Sequence, residues 1–233
     1  MRQVVLDTET TGLNVERGHR VIEIGCVELL ERRLSGRKLH YYLNPDRSSD
    51  EGALAVHGIS DESLRDKPRF AEIVGELLEF VQGAELVIHN AEFDVEFLDR
   101  ELELAGLGKL EQYVSSVVDS LALARDLHPA KKNSLDALCE RYAVEHSHRT
   151  LHGALLDARL LAEVYLAMTR GQESLVMELE TPAAIAIAAA GVDVSLLIVL
   201  RASPEEAAAH ERYLDAMERE AKAGALWRRL AGA

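Results

Sequence analysis

The stretch Val4-Val5-Leu6-Asp7-Thr8-Glu9-Thr10-Thr11-Gly12 constrains this chain more than any other. Three apolar residues, two of them β-branched, run straight into two acids, and a glycine closes the stretch. Residues of this kind at this density predict a buried strand, and Gly12 marks where it turns away. Strand side chains alternate between faces, so Asp7 and Glu9 share one face and Thr8 lies on the other. Two carboxylates at the end of a buried strand repel each other and lose hydration unless a positive object sits between them. A hard divalent cation with oxygen ligands, Mg²⁺ or Mn²⁺, meets that need. A strand fraying into a polar loop explains two acids equally well, so the rest of the chain must decide.

Length and charge narrow the classes. The 233 residues suffice for one domain with a good core plus an appendage. A formal net charge of -14 argues against holding nucleic acid on a broad basic face. It leaves room for a nucleic-acid substrate gripped through metal ions, weakly and with tethering by partners. Cys26 and Cys139 form no CxxC pair, so neither a disulfide framework nor a zinc site is expected. No basic stretch and apolar segment precede the first strand, which predicts no signal peptide and a cytoplasmic location. Residues 183–200 are largely apolar but include Asp193. An Asp at the centre of a spanning helix costs roughly 2.5–3.5 kcal/mol, so no membrane span is expected.

Residues 20–29 alternate apolar and polar, predicting a half-buried strand, and 38–43 predict another after a Ser35-Gly36 turn. With the first strand these make an antiparallel meander. Phe70, Ile73, Val74, Leu77, Leu78 and Val81 at helical spacing predict a helix over 70–81, stopped by Gly83. A short buried strand at 86–90 leads into a helix over about 91–105, with Phe93, Phe97 and Leu104 along its inner stripe. Residues 114–119 predict a further strand, followed by helices around 120–126, 133–142 and 153–169. Asn133 or Ser134 is the expected cap of the second of these. A meander followed by strand–helix alternation predicts an α/β domain with a mixed sheet flanked by helices.

After Arg170 the alternation stops. We read 1–170 as the main domain, 171–182 as a linker and 183–233 as a partner-binding extension. Ser203-Pro204-Glu205-Glu206 is a helix start: cap, proline at the first position, acids at the positive end. That helix and Trp227 are too short a segment to bury a core alone, so its apolar side wants a partner or folds back on the main domain.

Asp94 falls in the first turn of the helix after the 86–90 strand, and Asp157 near the start of the last long helix. Each is compatible with plain helix-dipole stabilisation. Four acids at strand and helix ends can also converge on one edge of the sheet, where α/β folds keep their sites. His152 precedes Asp157 by five residues, which on a straight helix would point the two roughly 140° apart. Sharing a site therefore requires His152 to lie before the regular helix, on a segment ended by Gly153. That suits a general base better than a rigid metal ligand.

Asp-Thr-Glu-Thr-Thr-Gly at 7–12, His-Asn-Ala-x-Phe-Asp at 89–94 and His-x4-Asp at 152–157 resemble, in order and spacing, the motifs of the DEDD exonuclease superfamily, His-containing branch. Val56-His57-Gly58-Ile59, residues 131–139 and 151–168 are similar to the epsilon-type proofreading 3′→5′ exonucleases of bacterial replicases. The resemblance implies a ribonuclease H-like sheet and two-metal phosphodiester hydrolysis with Mg²⁺ or Mn²⁺. By matching positions it implies that Asp7 bridges both ions. Glu9 and Asp157 would hold the ion that activates water, Asp94 would help place the second, and His152 would be the base. Thr8, Thr10 and Thr11, with apolar packing from Leu13, Val56, His57 and Phe93, would receive the DNA 3′ end. Gln172, Leu175 and Met177 resemble a sliding-clamp-binding peptide, with Met177 where an aromatic is usual. The segment around Trp227 resembles the part that docks on the polymerase alpha subunit, and a small accessory subunit is a further implied partner. The alternatives are a stand-alone relative trimming DNA or RNA ends and a non-catalytic adaptor; all four acids and the histidine weigh against the adaptor.

Overall fold

A computed structural model describes residues 1–146, 151–170 and 202–220. Gln172, Leu175, Met177, Trp227 and residues 183–200 lie outside them. Among the described residues, β1 (Arg2–Thr10), β2 (Val21–Leu30), β3 (Arg33–Tyr42), β4 (Glu85–Ile88) and β5 (Ser116–Asp119) form one sheet in the order β3-β2-β1-β4-β5. β1, β2 and β3 are the expected antiparallel meander, whereas β4 pairs parallel with β1 and β5 parallel with β4.

Helices cover both faces. In the connection to α3 lie α1 (Glu51–His57) and α2 (Asp61–Leu64); α3 (Phe70–Val81) and α4 (Ala91–Leu104) pack on the face carrying Val4 and Leu6. On the opposite face, with Val5, pack α5 (Ser120–Leu127), α6 (Leu135–Tyr142) and α7 (Ala154–Met168). Burial of β1 on both sides explains why its sequence reads as an apolar run rather than an alternation. Ser134 caps α6, its hydroxyl accepting from the Ala137 amide.

Three local expectations need correction. β2 is buried almost throughout, not half-buried, because its acids are paired inside. Glu28 accepts from Arg2, Ser35 and Arg37, and Glu23 lies 2.7 Å from His40 Nε2. The β2–β3 turn is at Glu31-Arg32, both at positive φ, whereas Gly36 sits inside β3 beside a register shift. A type I′ two-residue hairpin needs positive φ at both central residues, which here are not glycines, so composition pointed to the wrong pair. Leu104 is exposed; the buried residues of α4 are Ala91, Asp94, Phe97, Leu98, Glu101 and Leu102.

The chain divides into two units, Met1–Val176 and Met177–Ala233. In the second, α8 (Pro204–Glu220) starts at Ser203 as expected: Ser203 Oγ accepts from the Glu206 amide, and the Ser203 amide donates to the Glu206 carboxylate. No helix among the described residues is long and apolar enough to cross a membrane.

Candidate active site

β1 pairs with β4 only over Gln3–Val5, so its last residues extend past the point where β4 turns into α4. Asn90 makes that turn at φ 69, a conformation asparagine tolerates better than most residues. The chain leaves β1 to one side of the sheet and β4 to the other, which opens a crevice at their carboxyl ends. Asp7 and Glu9 lie in it on the α7 face of β1, and Thr8 on the α4 face. The alternation thus points the two acids at Asp157 and the threonine at Asp94.

A cavity of about 290 Å³ gathers Asp7, Thr8, Glu9, Phe93, Asp94, His152 and Asp157. Within it, single ligand atoms of Glu9, His152 and Asp157 all lie within 4.8 Å of one another. Asp7 and Asp94 line the same space outside that tight group. His152 precedes α7, as its spacing requires, and its side chain is 45% exposed. Its Nδ1 lies 3.3 Å from Asp157 Oδ2, at the start of the helix. Asp94 is anchored from β1, its Oδ1 accepting from the Thr8 amide at 3.0 Å and the Thr8 hydroxyl at 2.7 Å. Burial pushes its carboxyl up to about 7; the two Thr8 bonds oppose that rise without cancelling it. Buried carboxylates crowded this closely match the oxygen-rich donor set of a hard divalent cation.

A second cavity, of about 520 Å³, shares Thr8, Glu9 and Phe93 with the first. Thr10, Leu13, Val56 and His57 also line it, so six of the seven residues expected at the chain end meet here. Leu13 is 84% exposed, whereas His57 is buried, and burial lowers its pKa. The Ile59 amide donates to His57 Nδ1 at 2.9 Å, which places the neutral ring's proton on Nε2. Thr11 does not line the cavity: it is fully buried, its hydroxyl 3.0 Å from His19 Nδ1 and accepting from the Arg20 amide.

Several lining residues are not among those the sequence assigns to the site. His19, Asp50 and Ala53 belong to the larger cavity, and Ser134 and Asp136 to the smaller. Asp136 stands in the first turn of α6, where an acid is ordinary, and only the resemblance of residues 131–139 touched it. His89 was noted only as part of a motif. It lines the acidic cavity with Nδ1 3.0 Å from Ser120 Oγ, and burial lowers its pKa. Lys131 and Lys132 are exposed and line neither cavity.

The chain also resembles known proteins. The Exonuclease family (RNase_T) matches residues 4–165; its members generally depend on divalent metal ions. The DNA polymerase III subunit epsilon of Salmonella typhimurium is 52% identical over 97% of this chain and 97% of its own length. That of Escherichia coli K12 is 51% identical over the same shares. Among solved structures, exonuclease X bound to 5′-overhanging duplex DNA superposes with a TM-score of 0.57 at 24% identity, over 73% of this chain and 92% of that one. The zinc-bound complex of E. coli exonuclease I with single-stranded DNA gives 0.65 at 19%, over 75% and 41%. These likenesses show a shared fold. From the family match and the identity over nearly its whole length, the chain belongs to the DNA polymerase III epsilon-subunit family of exonucleases.

Proposed function

We propose that this chain removes mispaired 3′-terminal nucleotides from DNA as the proofreading subunit of a bacterial replicative polymerase, using two Mg²⁺ or Mn²⁺ ions held by Asp7, Glu9, Asp94 and Asp157. The observation that carries this reading is the approach of Glu9, His152 and Asp157 within 4.8 Å in a cavity also lined by Asp7 and Asp94. When bound, such ions neutralise charge at the entering and leaving oxygens and lower the pKa of water from 15.7 towards neutrality, within reach of a histidine base.

The protein's own groups do the rest. His152 takes the proton from the attacking water; it is exposed enough to meet solvent, and Asp157 orients its ring. Thr8 fixes Asp94 with two hydrogen bonds, so one carboxylate is set before substrate arrives. Leu13, Val56, His57 and Phe93 receive the terminal nucleotide in the larger cavity, with Thr8 and Thr10 beside it. Thr11 supports that wall from behind.

No reader of mismatches is required. The site accepts a frayed strand, and a mispaired end has already lost the stacking that keeps a paired end closed. The tail supplies tethering that a chain of net charge -14 does not get from a basic surface. We assign Trp227 and its surroundings to the polymerase alpha subunit and Gln172, Leu175 and Met177 to the sliding clamp. Met177 in place of an aromatic predicts a weak clamp contact. A small accessory subunit completes the assembly, which works in the cytoplasm.

The test pairs two variants. Asp7→Ala abolishes nuclease activity while the chain still co-purifies with the polymerase subunit; deletion from Gly171 does the reverse. Loss of both properties in Asp7→Ala, in a protein that remains folded, contradicts the division.

A further inference from the structure

His19 belongs to none of the motifs above, yet it is 5% exposed and lines the larger cavity. Both ring nitrogens are engaged. Nδ1 lies 3.0 Å from Thr11 Oγ1, and Nε2 lies 3.3 Å from Asp50 Oδ2. The Asp50 carboxylate can only accept, so in a neutral ring Nδ1 is left to accept from the Thr11 hydroxyl, whose oxygen also accepts from the Arg20 amide. The neutral ring then carries its own proton on Nε2, facing Asp50.

The two residues it joins are the roots of the cavity's two walls. Thr11 leads into Gly12 and Leu13, while Asp50 is the N-cap of α1, whose Ala53, Val56 and His57 make the facing wall. A backbone bond already ties them, the Asp50 amide donating to Thr11 O at 2.8 Å. The Asp50 side chain makes no capping bond to its own helix and is directed at His19 instead. Gly12 adds an independent sign of the ring's place. A Cβ there would lie 2.3 Å from His19 Cε1, although Gly12 is not in the left-handed region.

We propose that His19 is a positioning residue. With Asp50 it braces the Gly12–Leu13 turn against α1 at the spacing that admits a terminal nucleotide, and so sets affinity for the DNA end rather than the rate of hydrolysis. The inference rests on the reading of this cavity as the nucleotide site.

Steady-state kinetics on a 3′-labelled single strand with Mg²⁺, using the full chain, test it. His19→Ala is expected to raise KM about tenfold or more, with kcat within about threefold of wild type. Asp50→Ala changes a side chain that is 62% exposed, so its fold is not at risk. It should raise KM in the same direction and add nothing further in the His19→Ala background. His19→Gln, which reaches towards Asp50, should recover part of the loss when Asp50 is present and none when it is Ala. Unchanged KM in both single variants, effects that multiply in the double variant, or a loss confined to kcat would each overturn the brace. A wild-type chain that leaves the strand intact overturns the nuclease reading along with it; an active wild type with normal KM in both variants overturns the brace alone.

Discussion

A Cβ on Gly25 would lie 2.2 Å from the backbone nitrogen of Leu155. Gly25 pairs across the sheet with Asp7, so the missing side chain lets the first turn of α7 settle beside the acids of β1. That contact brings Asp157 to Glu9. Gly25→Ala must push α7 outward, because a backbone neighbour cannot swing aside. Overpacking of this kind costs about 1–3 kcal/mol, and a carboxylate displaced by about 1 Å can lose 10²-fold in rate. The expected result is a lower Tm together with at least tenfold lower nuclease activity. Wild-type activity in Gly25→Ala would show that α7 is not held there.

Gly12 and His19 make a similar prediction with a built-in suppressor. Gly12→Ala should destabilise the chain because the new methyl meets the imidazole. In a His19→Ala background the same change should be nearly neutral. Thermal melts of the four proteins decide it, and equal penalties in both backgrounds would contradict the contact.

Much of this site was legible because its chemistry sits at the ends of regular elements. Val4 to Leu6 announce a buried strand, so Asp7 and Glu9 beyond it stand out. The helix over 70–81 was readable to the residue because its apolar spacing is unbroken. Less legible were features whose cause is distant in sequence. Glu23 is held by His40, Glu28 by Arg2 and Arg37, and Glu101 by Arg20, so local alternation wrongly suggested solvent. His19 gains meaning only from Asp50, which no periodicity connects to it. The β2–β3 turn rests on Glu31 and Arg32 in a conformation that composition does not advertise.

Asp94 gives the pH dependence. Without a cation its folded pKa is raised to about 7, against an ordinary value of 3.8. The folded state thus holds the proton more tightly than the unfolded chain. Its contribution is fully present below about pH 4 and is lost as pH rises through about 7. In chelator, the Tm of the wild type should fall relative to Asp94→Asn across that window. A divalent cation should remove the fall in the wild type and do less for the variant, since cation binding favours the ionised carboxylate. Parallel pH profiles of the two proteins in chelator would refute the buried-acid account.

Selectivity follows from fraying. Each stacked pair step opened costs on average about 1.4 kcal/mol, or about tenfold in population. Excision should be fastest on single strands, close to that on mispaired ends, and slower by about tenfold or more on fully paired ends. Initial rates on three substrates with one labelled 3′ nucleotide measure it. Equal rates on all three would refute the mechanism.

The central claim is that Asp7, Glu9, Asp94 and Asp157 hold catalytic cations beside His152. Release of the labelled 3′ nucleotide from a single strand tests it most directly, followed with Mg²⁺, with Mg²⁺ plus excess chelator, and with Asp157→Ala. The account predicts release from the 3′ end with Mg²⁺ alone and none in the other two. Undiminished release in chelator, or from Asp157→Ala, would contradict it.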